Sequence, residues 1–104
     1  MILHTINKSP FGHRSYRQCL AALTAKDGIL LIEDGTYALL DGEHCQHFNQ
    51  ALAESTIALY VLAEDAQARG ITITSPFEQG VTPIDMNGFV QLCGDYDSVC
   101  SWYR

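Results

Sequence analysis

Positive charge is scarce in this chain: six Lys and Arg stand against twelve Asp and Glu in 104 residues, a formal net charge of −6. A surface that captures nucleic acid or an anionic membrane must neutralise phosphates with clustered bases, so direct binding of either is excluded as the main activity. Long apolar runs are missing as well, and none approaches the roughly 18 residues of a membrane-spanning helix. The first residues lack the basic leader, apolar segment and small-residue cleavage site of a secretory signal. Four cysteines, at 19, 45, 93 and 100, form neither a CxxC pair nor a dense framework. The expectation is therefore reduced thiols in a cytoplasmic protein. Neither an internal repeat nor a low-complexity tract is present, and the length suits a single domain over residues 1–104, large enough to bury a core without metal or disulfide staples.

What is there is unevenly distributed. Four of the six bases, Lys8, Arg14, Arg17 and Lys26, fall in the first 26 residues, which contain no acid. Residues 2–6 are a short apolar run with β-branched side chains, which Ser9-Pro10 breaks, so a strand followed by a loop is expected. Tyr16, Cys19, Leu20 and Leu23 recur at helical spacing over about 13–25, and Asp27-Gly28 supplies the stop. Ile29-Leu30-Leu31-Ile32 is apolar on both faces, as in a strand buried between helix layers.

Beyond Glu33-Asp34-Gly35 a short helix is expected over 36–40 and another over about 44–53. Ile57–Leu62 is a third strand backed by a helix to Arg69 that Gly70 closes. Residues 71–80 mix strand composition with Pro76 and Gly80. Val81–Ile84 reads as the final parallel strand, with Pro83 tolerated on a sheet edge, and a last helix spans about 85–95. Alternation of this kind predicts an α/β protein: a single-domain three-layer α/β/α sandwich around a small, mainly parallel sheet.

Several side chains could carry chemistry. Cys19 lies one helix beyond the carboxyl end of the first strand, the edge where open α/β sheets collect ligands, and within the basic segment that would favour a thiolate. A free cysteine on an apolar helix stripe is also a common core residue. His4 could protonate or orient a group at the strand end, or simply bond a neighbouring loop. Asn7, Lys8 and Ser9 form a polar loop, shaping an anion-friendly pocket or capping a turn. Glu33 and Asp34 end the second strand near the same edge, where acid–base work competes with a turn-holding role and an ion pair to Lys8.

His44 and His47 flank Cys45 at spacing that invites zinc, but a fourth ligand and the usual paired spacings are missing, so no metal is expected. Cys93 and Cys100 read as apolar filler and tail. Of the aromatic residues Tyr37, Tyr60, Phe77, Phe89, Trp102 and Tyr103, the last two are the expected subunit contacts. A flavodoxin-like binder of small ligands is disfavoured, because no glycine-rich phosphate loop follows the first strand; no cofactor is expected.

Several segments, taken in order, resemble one family. They are Leu3-His4-Thr5 through Ser9-Pro10-Phe11, Leu31-Ile32-Glu33-Asp34-Gly35 with Tyr37-Ala38, Leu59-Tyr60-Val61-Leu62 with Asp65 and Ala68-Arg69-Gly70, Ile84-Asp85 with Gly88-Phe89-Val90, and Ser101-Trp102. Together these resemble the DsrH/TusB family, small subunits of the DsrEFH and TusBCD sulfur-transfer complexes. The resemblance implies a DsrE-like fold and a cytoplasmic heterohexamer with DsrE/TusD-like and DsrF/TusC-like subunits. It implies passage of persulfide sulfur between cysteines to a DsrC/TusE-like carrier, for sulfur oxidation or tRNA wobble-uridine 2-thiolation. Cys19 matches the cysteine of DsrH members, which some TusB members lack, and with Asn7-Lys8 before Ser9-Pro10 it tilts the resemblance toward the DsrH type. Two roles follow from it: Cys19 as a persulfide carrier, or a non-catalytic structural and docking subunit in which Cys19 is merely buried.

Overall fold

A computed structural model describes residues 1–8, 15–23, 26–39, 57–71 and 81–102. Five strands form one sheet: β1 (Ile2–Ile6), β2 (Gly28–Leu31), β3 (Ala58–Leu62), β4 (Val81–Ile84) and β5 (Ser98–Trp102). Their order is β4-β3-β2-β1-β5, and every neighbouring pair runs parallel. Three α-helices are described, α1 (Ser15–Ala22), α2 (Ala63–Ala68) and α3 (Met86–Asp95), with a 3-10 helix at Glu33–Leu39.

Because side chains alternate across a strand, the register sorts the apolar residues into two layers. One face carries Ile6, Ile29, Leu31, Leu59, Val61 and Val81, which cluster with Cys19 from α1 and Ala66 from α2. The opposite face carries Leu3, Leu30, Ile32 and Leu62, against which Phe89, Leu92, Cys93 and Tyr96 of the α3 region pack. Helices on both faces make the three layers expected of continuous apolar strands such as Gly28–Leu31, all four of whose residues are buried.

Local chemistry sets the ends of these elements. Asp85 caps α3, its Oδ1 accepting the Gly88 N–H at 2.8 Å, which satisfies one of the orphan donors of a first turn. Helix α2 stops at Gly70, whose φ of 66° suits a residue without a Cβ, and the Ile71 N–H returns to the Ala66 carbonyl at 2.9 Å. Pro83 lies on the edge strand β4, where its missing N–H costs no ladder bond to a further strand.

Two expectations are corrected. Val81–Ile84 is not the final strand, because Ser98–Trp102 adds β5 beside β1 at the other edge of the sheet. The segment after β2 winds as a 3-10 helix from Glu33 rather than a helix from residue 36; the Thr36 hydroxyl donates to the Glu33 carbonyl at 2.7 Å and holds its first turn. The helix expected over about 44–53, the strand composition of residues 72–74, Phe77 and Tyr103 lie outside the described residues.

Candidate functional site

The carboxyl ends of β1 and β2 bring Asn7, Glu33 and Asp34 to one edge, as their places in the sequence imply. Gly35 is pressed against β1: a Cβ there would be driven into the Ile6 carbonyl oxygen, while the Ile32 N–H bonds that same oxygen at 3.0 Å. Such an approach admits only glycine. Glu33 pays for the turn with a φ of 49°, a left-handed conformation costing a non-glycine residue about 1–2 kcal/mol. Its N–H is held by the Asp65 carboxylate at 2.7 Å, and its own carboxylate accepts a long bond of 3.4 Å from the Asn7 amide. Among the described residues the buried Asn7 Oδ1 finds no hydrogen-bond donor.

Asp34 does not pair with Lys8 as expected; the Arg69 guanidinium takes it at 3.0 Å and also donates to the Asp65 carbonyl at 3.2 Å. Arg69, one residue past the end of α2, is the group that sequence reasoning missed here. The signal was its i, i+4 spacing from Asp65 on a short helix. Acid–base chemistry is thus confined by structure-holding bonds: Asp65 and Arg69 fix the turn that Glu33 and Asp34 begin. Ser9 lies outside the described residues.

His4 is a core residue. It is 2% exposed, and the Trp102 indole N–H donates to its Nδ1 at 3.0 Å. An indole can only donate, so Nδ1 accepts and the ring proton sits on Nε2. That Nε2–H meets the Asp27 carboxylate at 3.1 Å, and the other Asp27 oxygen accepts the Ile2 N–H at 2.9 Å. The chain Trp102–His4–Asp27–Ile2 ties β5, β1 and the start of β2 together. Both ring nitrogens are occupied, which is the loop-bonding alternative extended to a second partner. Trp102, expected as a subunit contact, is half-buried and packs against the core, its ring stacked on His4 with centroids 6.2 Å apart.

Cys19 projects from α1 into the same layer and is 0% exposed. Its thiol is pushed up to about 12, first by burial, then by the nearby Cys100 thiol and the Asp27 carboxylate. The expectation that the basic segment would favour its thiolate is corrected. Among the described residues the groups that act on this sulfur are an acid and a second thiol, and burial adds most to the same upward push because an ionised sulfur without water is poorly solvated. Cys100, opposite His4 in the register, is partly exposed, and Cys93 packs on the other face of the sheet. His44, Cys45 and His47 lie outside the described residues.

Sheet order, parallel ladders and helix layers define a small α/β sandwich of one sheet, and solved structures share it. The crystal structure of the ychN protein from E. coli matches with a TM-score of 0.76 at 21% identity, covering 96% of this chain and 97% of that one. The solution structure of protein Tm0979 from Thermotoga maritima matches with a TM-score of 0.61 at 20% identity, covering 93% and 95%. Within that class the sequence is more specific. The family model described as "DsrH like protein" matches residues 8–99. Protein TusB of Pectobacterium parmentieri is 35% identical over 97% of this chain and 100% of its own length. Protein TusB of Escherichia coli O139:H28 is 33% identical over the same shares. The chain belongs to the DsrH family.

Proposed function

We propose that this chain is a subunit of a sulfur-relay complex and that its main contribution is architectural: it completes the assembly and presents a docking face, while Cys19 serves the core. Family membership supports the relay, and the sealed, proton-retaining Cys19 thiol carries the assignment of role. A relay cysteine must expose a thiolate to an incoming persulfide; this sulfur is neither exposed nor easily ionised. The docking face is supported by apolar side chains left in water, Met86 at 52%, Val90 at 67% and Val99 at 42% exposed. All belong to α3 or to the face of β5 that lies on α3's side of the sheet. Exposed apolar anchors of this kind concentrate at interfaces. The partners are DsrE/TusD-like and DsrF/TusC-like subunits in a cytoplasmic heterohexamer, which serves a DsrC/TusE-like carrier. Relatives named TusB favour the tRNA-thiolating branch over the sulfur-oxidising one, and the acidic chain would take part through proteins rather than by touching RNA.

The test is to coexpress the chain with such subunits, treat the complex with a persulfide donor and weigh each subunit intact. The expected result is a complex that assembles and transfers sulfur with Cys19→Ala in place of the natural residue. An added sulfur atom on this chain that Cys19→Ala removes, together with lost transfer, establishes the rival role of Cys19 as persulfide carrier.

A further inference from the structure

We propose that Cys100 and Cys19 form a redox-closable pair, in which Cys100 is the thiol that meets small disulfides from solvent and Cys19 is the thiol that closes onto it. This proposal concerns the chain alone and stands apart from the sulfur-relay reading.

The placement is built by three elements. Helix α1 packs on both β1 and β5 and turns Cys19 into the layer that His4 and Trp102 occupy. In the β1–β5 ladder Cys100 is registered with His4 and lies two residues before Trp102, so the period of two places it on that same face. Cys100 lies near enough to Cys19 to add to the upward push on its thiol, second to burial. Their exposures are complementary: Cys19 has no path to solvent, whereas Cys100, on the edge strand, has one. A resolving thiol needs no such path, because its target is already bonded to the neighbouring sulfur. Cys93 cannot compete, as it packs across the sheet.

The chemistry balances with one oxidant of the low-molecular-weight disulfide class, here oxidised glutathione. Cys100, as thiolate, attacks one glutathione sulfur, forming a mixed disulfide and expelling a glutathione thiolate. Cys19 then attacks the Cys100 sulfur, its proton passing to the second glutathione thiolate as that leaves, so the step requires no standing Cys19 thiolate. The two cysteine thiols are oxidised, one glutathione disulfide is reduced to two thiols, and the two cysteine protons end on them. The product staples α1 to the C-terminal strand.

The experiment uses the full-length protein, with oxidised glutathione as the probe, followed by alkylation in denaturant and mapping of the modified cysteines by mass spectrometry. The expected result is a Cys19–Cys100 cross-link in the natural sequence. Cys19→Ser should leave Cys100 as a stable glutathione adduct, and Cys100→Ser should leave Cys19 reduced, its modification falling at least tenfold. Circular dichroism of each variant verifies folding, and Cys19→Ala replaces a serine variant that does not fold. The proposal is overturned by a natural protein in which Cys100 keeps glutathione while Cys19 stays reduced. It is equally overturned if neither cysteine reacts, or if Cys19 reacts as fast without Cys100.

Discussion

Among the described residues, the sheet face under α1 and α2 holds nine buried apolar side chains in one cluster, whereas the face under α3 holds four, and α3 itself has no buried residue. The first face is closed by helices that each lend it a small buried side chain, Cys19 and Ala66. Among the described residues the second is covered by one amphipathic helix whose inner residues, Phe89, Leu92 and Cys93, are only partly sheltered, and whose outer side shows Met86 and Val90 to water. A face that leaves apolar side chains wet gains by burying them against a neighbour. Among the described residues, then, the buried apolar core lies mainly on one face, and the proposed docking surface lies on the other.

The sharpest way to break that contrast is to hollow out the finished face. Leu31→Ala, at a side chain with no exposure, should cost about 2–5 kcal/mol in urea unfolding; a loss under about 1 kcal/mol would show that this layer is not the main core. Next comes the polar tie on the same side. Asp27→Ala strands the buried His4 Nε2–H and leaves the part-buried Ile2 N–H to water, and at roughly 1–3 kcal/mol for one orphaned buried donor it should destabilise by about 1–3 kcal/mol. Trp102→Phe, which removes the indole donor to His4 and the fused ring beside it, should cost nearer about 1 kcal/mol.

Alkali sharpens the contrast further. The Cys19 thiol stays protonated in the fold up to about 12 but ionises near 9.0 when unfolded, so the folded state holds the extra proton between those values. Its contribution to stability is complete below pH 9 and is lost as pH climbs toward 12. Cys19→Ala should flatten the fall in stability between about pH 9 and pH 11 by up to about 1.4 kcal/mol per pH unit. Tyr96, whose phenol is also held up to about 12 by burial and then by its hydrogen bond with Tyr60, leaves a residual alkaline slope in both proteins. Identical slopes in the two would remove burial as the cause of the Cys19 shift. The smallest effect belongs to the open face: Val90→Ser should change the subunit's own stability by less than about 0.5 kcal/mol yet weaken its retention by coexpressed partner subunits. Undiminished retention would move the docking face elsewhere.

Much of this architecture was legible because strand runs such as Ile29-Leu30-Leu31-Ile32 are apolar at every position, a pattern that only a sheet covered on both sides can satisfy. β5 escaped notice because Ser98-Val99-Cys100-Ser101-Trp102 is an edge strand whose residues are exposed or only half-buried, so it lacks that uniform pattern. At the sheet edge, the meeting of Asn7 with Glu33 followed from neighbouring strand ends. The capture of Asp34 by Arg69 and of the Glu33 N–H by Asp65 did not, since both depend on how α2 returns to the sheet. The surroundings of Cys19 were misjudged for the same reason. Nearness in sequence to bases does not fix the surroundings of a side chain that a helix turns inward, toward Asp27 and Cys100.

The β1–β5 ladder joins residues as far apart as Ile2 and Ser98. Of the five strands β1 is made first and β5 last, so on the ribosome β1 presents bare N–H and C=O groups along one side until β5 has emerged. Pairing at such long separation is slow, and an uncovered strand in that interval is a template for mispairing with other nascent chains.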